Sequence, residues 1–202
     1  VALVVDEWGS WYEVEEGTNP GFAYQQNTMR DAMIAGVTLN IFNSRVDRIK
    51  MANLAQTVNV LQATILTEGE KMLLTPTYHV MKMYAAHQDA QLLPLSFESP
   101  NYTLNGESLP AISASASKKD GTVNISLVNI DLEKENDVEL DLSALGIKEF
   151  SGTILASEKI QDHNTFDNPD KIKTKEFKKF NFKKGKLTVA IPPFSVIVLK
   201  GK

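Results

Sequence analysis

The chain opens with a segment that carries no polar side chain, Val1 to Val5, and two carboxylates, Asp6 and Glu7, follow it directly. An unbroken apolar run of this length is typical of a strand that is buried on both faces, as the strands of parallel sheets are. Such a strand is stable only when further strands and helices cover it. We therefore expect residues 1–7 to form a strand in a sheet that is packed against helices.

Up to about residue 90, predicted strands alternate with predicted helices. The predicted elements are a strand at 1–7, a long helix from about Ala23 to Phe42, a shorter helix near Val46–Ala55, a second strand at Thr57–Leu66 and a helix from Pro76 to about Gln88. This order is typical of an α/β unit with parallel strands. Two parallel strands cannot bury both faces of a sheet. We therefore expect residues 1–90 to be the end of a larger barrel and the chain to be a C-terminal fragment.

After residue 90 the pattern becomes all-β. About seven short strands are predicted, and Asp120-Gly121 between two of them is a strong hairpin signal. A second tight turn is predicted at Lys184-Gly185-Lys186. Short strands joined by polar turns favour an antiparallel β-sandwich, of jelly-roll-like form. The sequence thus predicts two domains, 1–90 and 91–202, with a boundary at roughly 88–95.

The charge pattern argues against nucleic acid or a membrane as a partner. Residues 1–90 carry 6 Lys and Arg against 10 Asp and Glu, and residues 91–202 carry 15 of each. Neither part has the basic excess of a nucleic-acid-binding surface, and the lysines of 171–186 alternate with phenylalanines as on a strand with one solvated face. No apolar run approaches the roughly 18 to 20 residues of a membrane span. The absence of cysteine excludes disulfides, thiolate metal sites and a cysteine nucleophile.

The remaining polar residues predict no cofactor and no metal site. His79 and His87 are eight residues apart on one predicted helix, too far for a shared metal ion, and His163 is remote from both in sequence. The stretch 162–170 is rich in oxygen ligands, but it lacks the fixed glycine and the terminal glutamate of an EF-hand loop. We expect structural or surface histidines and a polar surface loop.

The end of the first strand is the most informative stretch for chemistry. Because side chains alternate along a strand, Leu3, Val5 and Glu7 should share one face. If Leu3 and Val5 fill a barrel interior, Glu7 lies at the carboxyl-end mouth, where barrel active sites are built. A carboxylate there can act as a nucleophile or as a general acid and base. On composition alone the plainer interpretation, that Asp6 and Glu7 only end a strand and cap a loop, is favoured, since acidic residues are common at strand ends.

Three aromatic residues follow the carboxylates closely: Trp8, Trp11 and Tyr12. Their flat apolar rings are suited to stacking on a sugar ring, so they are candidate substrate-binding residues. A serine nucleophile has no support, because neither Ser10 nor Ser195 belongs to a Ser-His-Asp arrangement. The segment therefore allows carboxylate chemistry on a carbohydrate, although the residues alone do not favour it over a plain strand end.

The segment Asp6-Glu7-Trp8, followed by Trp11-Tyr12, resembles the nucleophile segment of α-L-arabinofuranosidases of glycoside hydrolase family 51. The stretch from Pro192 to Leu199 resembles the closing strand of the same enzymes. Further matches are Arg30-Asp31-Ala32, Leu39-Asn40-Ile41-Phe42 and residues 48–56, 58–60, 66–68 and 75–80. The similarity is dense over residues 1–90 and thinner over the predicted sandwich.

The resemblance implies a (β/α)8 TIM barrel joined to a β-sandwich, with residues 1–90 as the last strands and helices of the barrel. It implies exo-acting hydrolysis, with retention of configuration, of terminal arabinofuranosyl residues of arabinan or arabinoxylan. By resemblance, Glu7 would be the nucleophile that forms the covalent glycosyl–enzyme intermediate, and homo-oligomers would be common. Where many family members have a sugar-contacting Gln, this chain has Thr75, which the sequence also predicts to cap a helix.

A retaining mechanism needs a second carboxylic acid about 5 to 5.5 Å from the nucleophile. By resemblance it would be a Glu that follows an Asn at the end of an earlier strand, and the sequence contains no Asn-Glu pair. We therefore expect the chain alone to have no meaningful glycosidase activity. Two alternatives stay open: residues 91–202 as a non-catalytic carbohydrate-binding or structural module, and a homologue that has lost its activity. The compartment is not indicated, since an upstream signal would make the protein periplasmic or secreted and its absence cytoplasmic.

Overall fold

The computed structural model describes residues 1–202 without a gap and is mostly sheet, with two α-helices. The helices are α1 (Met29–Ser44) and α2 (Pro76–Tyr84). The strands, in chain order, are β1 (Leu3–Trp8), β2 (Ile49–Leu54), β3 (Ile65–Glu68), β4 (Lys71–Leu74), β5 (Gln91–Leu93), β6 (Asn101–Leu104), β7 (Glu107–Pro110), β8 (Ile112–Lys119), β9 (Thr122–Asn129), β10 (Asn136–Asp141), β11 (Phe150–Leu155), β12 (Lys175–Phe177), β13 (Phe180–Lys183), β14 (Lys186–Ile191) and β15 (Ser195–Gly201). Single 3-10 turns lie at Pro20–Phe22, Ala85–His87 and Ser143–Leu145.

Strands β1 and β2 pair in parallel, and α1 connects them. Leu3 lies opposite Ile49 and Trp8 opposite Leu54, with irregularities of register in between. The helix predicted near Val46–Ala55 is therefore wrong, because this segment contains β2. Its Met-Ala-Asn-Leu run includes good helix formers, but pairing with β1 supplies the backbone hydrogen bonds that decide its conformation.

The strand predicted at Thr57–Leu66 is also largely absent. Asn59 and Leu61 have positive φ angles of 59° and 50°, a conformation that interrupts an extended strand. Only its end enters a strand, β3, which forms an antiparallel hairpin with β4. Residues 57–64 are instead an irregular segment that follows β2.

Both helices begin at threonines whose side chains cap them. Thr28 is the N-cap of α1 and forms a capping box with the third residue of the helix, so α1 begins later than the predicted Ala23. Thr75 caps α2, as the sequence predicts. Helix α2 ends at Tyr84, about one turn earlier than predicted. No helix is long and apolar enough to cross a bilayer.

The second half of the chain forms two antiparallel sheets that pack face to face, with a separate two-stranded sheet of β6 and β7, and it confirms the predicted β-sandwich. The larger sheet has the strand order β12-β11-β15-β9-β8-β5, and the smaller has the order β10-β14-β13. Buried apolar side chains from both sheets, such as Leu127 of the larger and Leu187 of the smaller, form one core between them. The predicted hairpin is confirmed: Asp120 and Gly121 have φ angles of 49° and 79° between β8 and β9, as a type I′ turn requires.

Helices α1 and α2 cover the other face of the six-stranded sheet. Along β9, Leu127 points into the sandwich core and Val128 into a second core under the helices. Along β15, Ile197 likewise points into the sandwich core and Val198 into the core under the helices. A Cβ atom at Gly36 of α1 would lie only 2.9 Å from a methyl group of Val128, so the helix backbone lies close to the sheet. The α/β part and the sandwich therefore share a core, and the division at residue 90 stays a prediction.

Candidate active site

Glu7 lies at the carboxyl end of β1, as the sequence predicts, and its side chain is exposed to solvent. The alternation of side chains does not hold over the whole strand, because the register shifts between Val5 and Trp8. As a result Val5 and Trp8 both contact the core under the helices, although strict alternation would separate them. The carboxylates of Asp6 and Glu7 are left outside that core.

Trp8 is packed into the protein. Its side chain is 9% exposed, and its ring contacts Phe42 of α1 edge to face, with 5.6 Å between the ring centroids. Its Nε1 atom is buried and has no hydrogen-bond partner within the chain. Of the three candidate substrate-binding residues, Trp8 therefore presents little ring surface to a sugar in this chain.

Trp11 and Tyr12 lie in the loop that follows β1, and they differ in how open their rings are. The Trp11 side chain is 75% exposed. One face of the Tyr12 ring is covered by Arg30, whose guanidinium carbon lies 3.6 Å from the ring centroid, in a cation–π contact. Partial burial raises the pKa of the Tyr12 hydroxyl, and the Arg30 charge opposes that shift. Of the two rings, Trp11 is thus the one that is open for stacking, and it follows Glu7 closely in sequence.

This loop is attached to three buried polar side chains, Gln25, Asp31 and Gln62, of which the sequence analysis names only Asp31, as part of a family match and without a role. The Ser10 amide donates to Oε1 of Gln62 over 2.8 Å, and the Ser10 hydroxyl donates to Asp31 over 2.7 Å. The Tyr12 amide donates to Oε1 of Gln25 over 2.9 Å. A sequence signal was available for one of them, because Thr28 and Asp31 have the spacing of a capping box. Gln25 and Gln62 carried no such signal.

A polar cleft of about 320 Å³ opens beside Tyr12. Its walls come from the loop after β1, from the start of α1 and from residues 160–161 of the sandwich, and they include Glu13, Glu15 and Arg30. Glu7 does not line it. The cleft offers carboxylate, amide and guanidinium groups to a polar ligand next to the exposed loop.

The remaining candidate residues have structural contacts. The Thr75 hydroxyl donates to the Ala63 carbonyl over 2.7 Å in addition to capping α2, which accounts for its side chain. No group of three or more His, Asp or Glu side chains lies close enough together to hold a metal ion. Asp162 accepts from Lys171 over 2.7 Å, and this hydrogen bond is the main reason that its pKa is lowered.

Comparison with known protein families gives one match that covers most of the chain. The family model described as "Alpha-L-arabinofuranosidase C-terminal domain" matches residues 6–195. This range includes the loop after β1, both helices and the strands of the sandwich up to the start of β15.

Individual relatives agree with that match. The protein named "Intracellular exo-alpha-L-arabinofuranosidase" from Bacteroides ovatus is 43% identical over 202 residues, which are 99% of this chain and 39% of the relative. Among solved structures, the GH51 arabinofuranosidase from Xanthomonas axonopodis pv. citri superposes with a TM-score of 0.97 at 44% identity, over 100% of this chain and 41% of that one. A family 51 α-L-arabinofuranosidase from Bifidobacterium longum gives a TM-score of 0.88 at 25% identity, over 100% and 42%. The chain thus spans about two fifths of the length of these relatives.

Proposed function

The chain belongs to the alpha-L-arabinofuranosidase C-terminal domain family, and from this membership we propose that it carries the nucleophile of a retaining, exo-acting α-L-arabinofuranosidase. The observation that carries the proposal is the placement of an exposed carboxylate, Glu7, at the carboxyl end of a parallel strand, four residues before an indole open to solvent, Trp11. The proposed substrates are arabinose-containing polysaccharides and oligosaccharides such as arabinan and arabinoxylan, with terminal arabinofuranosyl residues released.

The proposed mechanism has two displacements at the anomeric carbon. The Glu7 carboxylate attacks that carbon and forms a glycosyl ester, while a second carboxylic acid protonates the leaving oxygen. The second group, now a carboxylate, then takes a proton from water, and the hydroxide formed displaces Glu7. Two inversions restore the starting configuration. Trp11 is proposed to stack on the apolar face of the substrate.

The second carboxylic acid is proposed to come from outside residues 1–202. The carboxylates nearest to Glu7 in sequence are Asp6, Glu13, Glu15 and Glu16, and all lie on the same strand or its loop. A retaining pair needs carboxyl groups on opposite sides of the scissile bond, about 5 to 5.5 Å apart. The 202-residue chain alone is therefore proposed to be inactive.

We further propose that β1 and β2 are neighbouring strands of a (β/α)8 barrel, with residues 1–90 as its C-terminal end. The two strands are parallel and joined through a helix, and apolar side chains on them, Leu3, Val4 and Met51, are exposed. Exposed apolar residues on a parallel strand pair are expected where further strands and helices would cover it. The core shared by α1 and the larger sheet favours a buttressing role for residues 91–202 over a separate carbohydrate-binding module.

Two attributes of the whole enzyme are proposed from its relatives. The name of the Bacteroides ovatus relative contains the word "intracellular", so a cytoplasmic location is proposed here as well. Homo-oligomerisation stays the prediction made from the family resemblance.

The decisive experiment uses the complete natural polypeptide that contains residues 1–202, assayed with 4-nitrophenyl α-L-arabinofuranoside. Glu7→Gln is expected to lower kcat by about 10³-fold or more, because it removes the nucleophile. The matched control is Glu16→Gln, since Glu16 is an exposed carboxylate on the same loop. If the Glu7→Gln variant keeps its activity, or if both variants lose it equally, the assignment of Glu7 is wrong.

A further inference from the structure

The loop after β1 is tethered on both sides of Trp11. On one side, the backbone N–H of Ser10 donates to Gln62 over 2.8 Å, and its carbonyl accepts from Nε2 of Gln25 over 3.3 Å. On the other side, the backbone N–H of Tyr12 donates to Oε1 of the same Gln25 over 2.9 Å. One buried amide therefore bridges the two residues that flank the exposed indole.

The tethering groups are themselves held in place. Gln62 donates to the Asp31 carbonyl over 2.7 Å and to the Thr77 hydroxyl over 3.2 Å, which joins the start of α1 to the start of α2. Asp31 accepts from the Ser10 hydroxyl and from the Thr28 amide, over 2.7 and 2.8 Å. Asp31, Gln62 and Thr77 are fully buried. Because both amide atoms of Gln62 have partners, the orientation of this side chain is fixed by the network.

The contrast between the buried polar groups and the exposed ring needs an explanation. An apolar core under the loop would avoid the cost of burying amides and a carboxylate, since buried polar groups stabilise only when fully paired. What directional hydrogen bonds add is a defined backbone geometry. The loop backbone also lies close to its support, because a Cβ atom at Gly9 would be 3.2 Å from the Ala55 carbonyl and 3.3 Å from the Gln62 side chain.

We propose that Gln25, Asp31 and Gln62 are positioning residues, which hold the backbone on both sides of Trp11 and so present its ring as a preformed sugar-stacking surface in the loop that follows Glu7. The proposal rests on the proposed glycosidase function. It gives a role to Arg30-Asp31-Ala32, a motif that the family resemblance singles out without a function, because its Asp31 connects the α1 cap to the loop. Binding is then stronger because the loop has lost its conformational freedom before the sugar arrives.

The test uses the complete natural polypeptide, labelled with 5-fluorotryptophan, and follows both hydrolysis and the ¹⁹F resonance of Trp11, which is assigned by its loss in Trp11→Phe. Gln25→Met keeps the side-chain volume and removes the bridge. The matched control is Asn129→Leu, which removes another buried amide that donates to Ile191 and Pro192 carbonyls within the sandwich. Gln25→Glu keeps an acceptor for the Tyr12 amide and serves as the second variant should Gln25→Met fail to fold.

In Gln25→Met we expect the Trp11 resonance to broaden or split, and kcat/KM to fall about 10- to 100-fold, as small misplacements of binding groups do. Asn129→Leu is expected to lower the unfolding midpoint while kcat/KM stays within about twofold of wild type, because distant sites act independently. An unchanged Trp11 resonance in Gln25→Met, or equal losses of kcat/KM in both variants, would overturn the positioning role. A wild-type polypeptide without hydrolytic activity would overturn the proposed function instead, and the ¹⁹F spectrum would still decide whether Gln25 orders the loop.

Discussion

The Nε2 atom of His87 lies 3.0 Å from the hydroxyl oxygen of Ser126, in the interface between the end of α2 and the six-stranded sheet. The other ring nitrogen lies 2.8 Å from the hydroxyl of Ser117. Burial lowers the pKa of His87 to about 4, because the charged imidazolium would lose its hydration there. The imidazole is therefore neutral in the folded protein near neutral pH.

The low pKa of His87 predicts a loss of stability in mild acid. The folded-state pKa lies below that of an unfolded histidine, so the stabilising contribution is complete above about pH 6.5 and is lost as the pH falls towards 4. The expected loss in the free energy of unfolding is at most about 3 kcal/mol. It is measured by urea denaturation at pH 7 and pH 4.5. His87→Gln should lose less stability than wild type over this interval, and an equal loss in both would contradict the prediction.

Trp11→Ala is expected to lower kcat/KM for an aryl arabinofuranoside about 10- to 100-fold in the complete polypeptide, because a stacking surface contributes about 1 to 3 kcal/mol of binding. The stability of the fold should change little, since the ring is mostly in solvent. Phe22→Ala is the control, because Phe22 is another aromatic residue of the segment before α1 and is 67% exposed. A similar decrease in both variants would remove the special role of Trp11.

The Glu7→Ala variant also tests which of two roles Glu7 has, nucleophile or general acid and base. If Glu7 is the nucleophile, azide can enter the space left by the carboxylate and attack the anomeric carbon once, with the aryl oxide as leaving group. The expected product of Glu7→Ala with azide is the glycosyl azide of inverted configuration, identified by NMR spectroscopy. A product of retained configuration would assign Glu7 to the acid/base role.

Gly36→Ala is expected to destabilise the fold by about 1 to 3 kcal/mol through overpacking. Glycine-to-alanine changes inside a helix usually stabilise, but here the new methyl group would lie 2.9 Å from Val128 and 3.3 Å from Val196. Chemical denaturation measures the change. The control is the same Gly36→Ala change made in a Val128→Ala background, where the smaller alanine frees the space that the new methyl group needs. There Gly36→Ala should lower the free energy of unfolding by less than it does in the wild-type background. A stabilising Gly36→Ala would show that the helix can shift away from the sheet.

Local patterns predicted the parts of the fold that local interactions decide. The apolar run of β1, the cap at Thr75 and the turn at Asp120-Gly121 all carry their signals within a few residues. The segment of β2 could not be predicted in this way, because its helix-forming residues become a strand through pairing with β1, which lies more than forty residues earlier. Likewise the positive φ angle of Leu61 has no signal in the sequence, because glycine or asparagine usually occupies that conformation and position 61 is a leucine.

The candidate site shows the same division. Glu7 and Trp11 could be named as candidates because the end of an apolar strand is a recognisable place and the aromatic residues follow it closely. The packing of Trp8 depends on a register shift, and the roles of Gln25 and Gln62 depend on which loops meet in space. A polar residue with a distant partner has no characteristic spacing in sequence, so sequence patterns alone could not have identified it.

The two central strands of the larger sheet, β9 and β15, have no side that faces water. A polypeptide reduced to residues 91–202 would lack both helices, and the valines that they cover, Val128, Val196 and Val198, would be exposed to solvent. Such a truncated protein should aggregate or dimerise through this sheet face. A truncated protein that begins before α1 would keep the face covered by both helices.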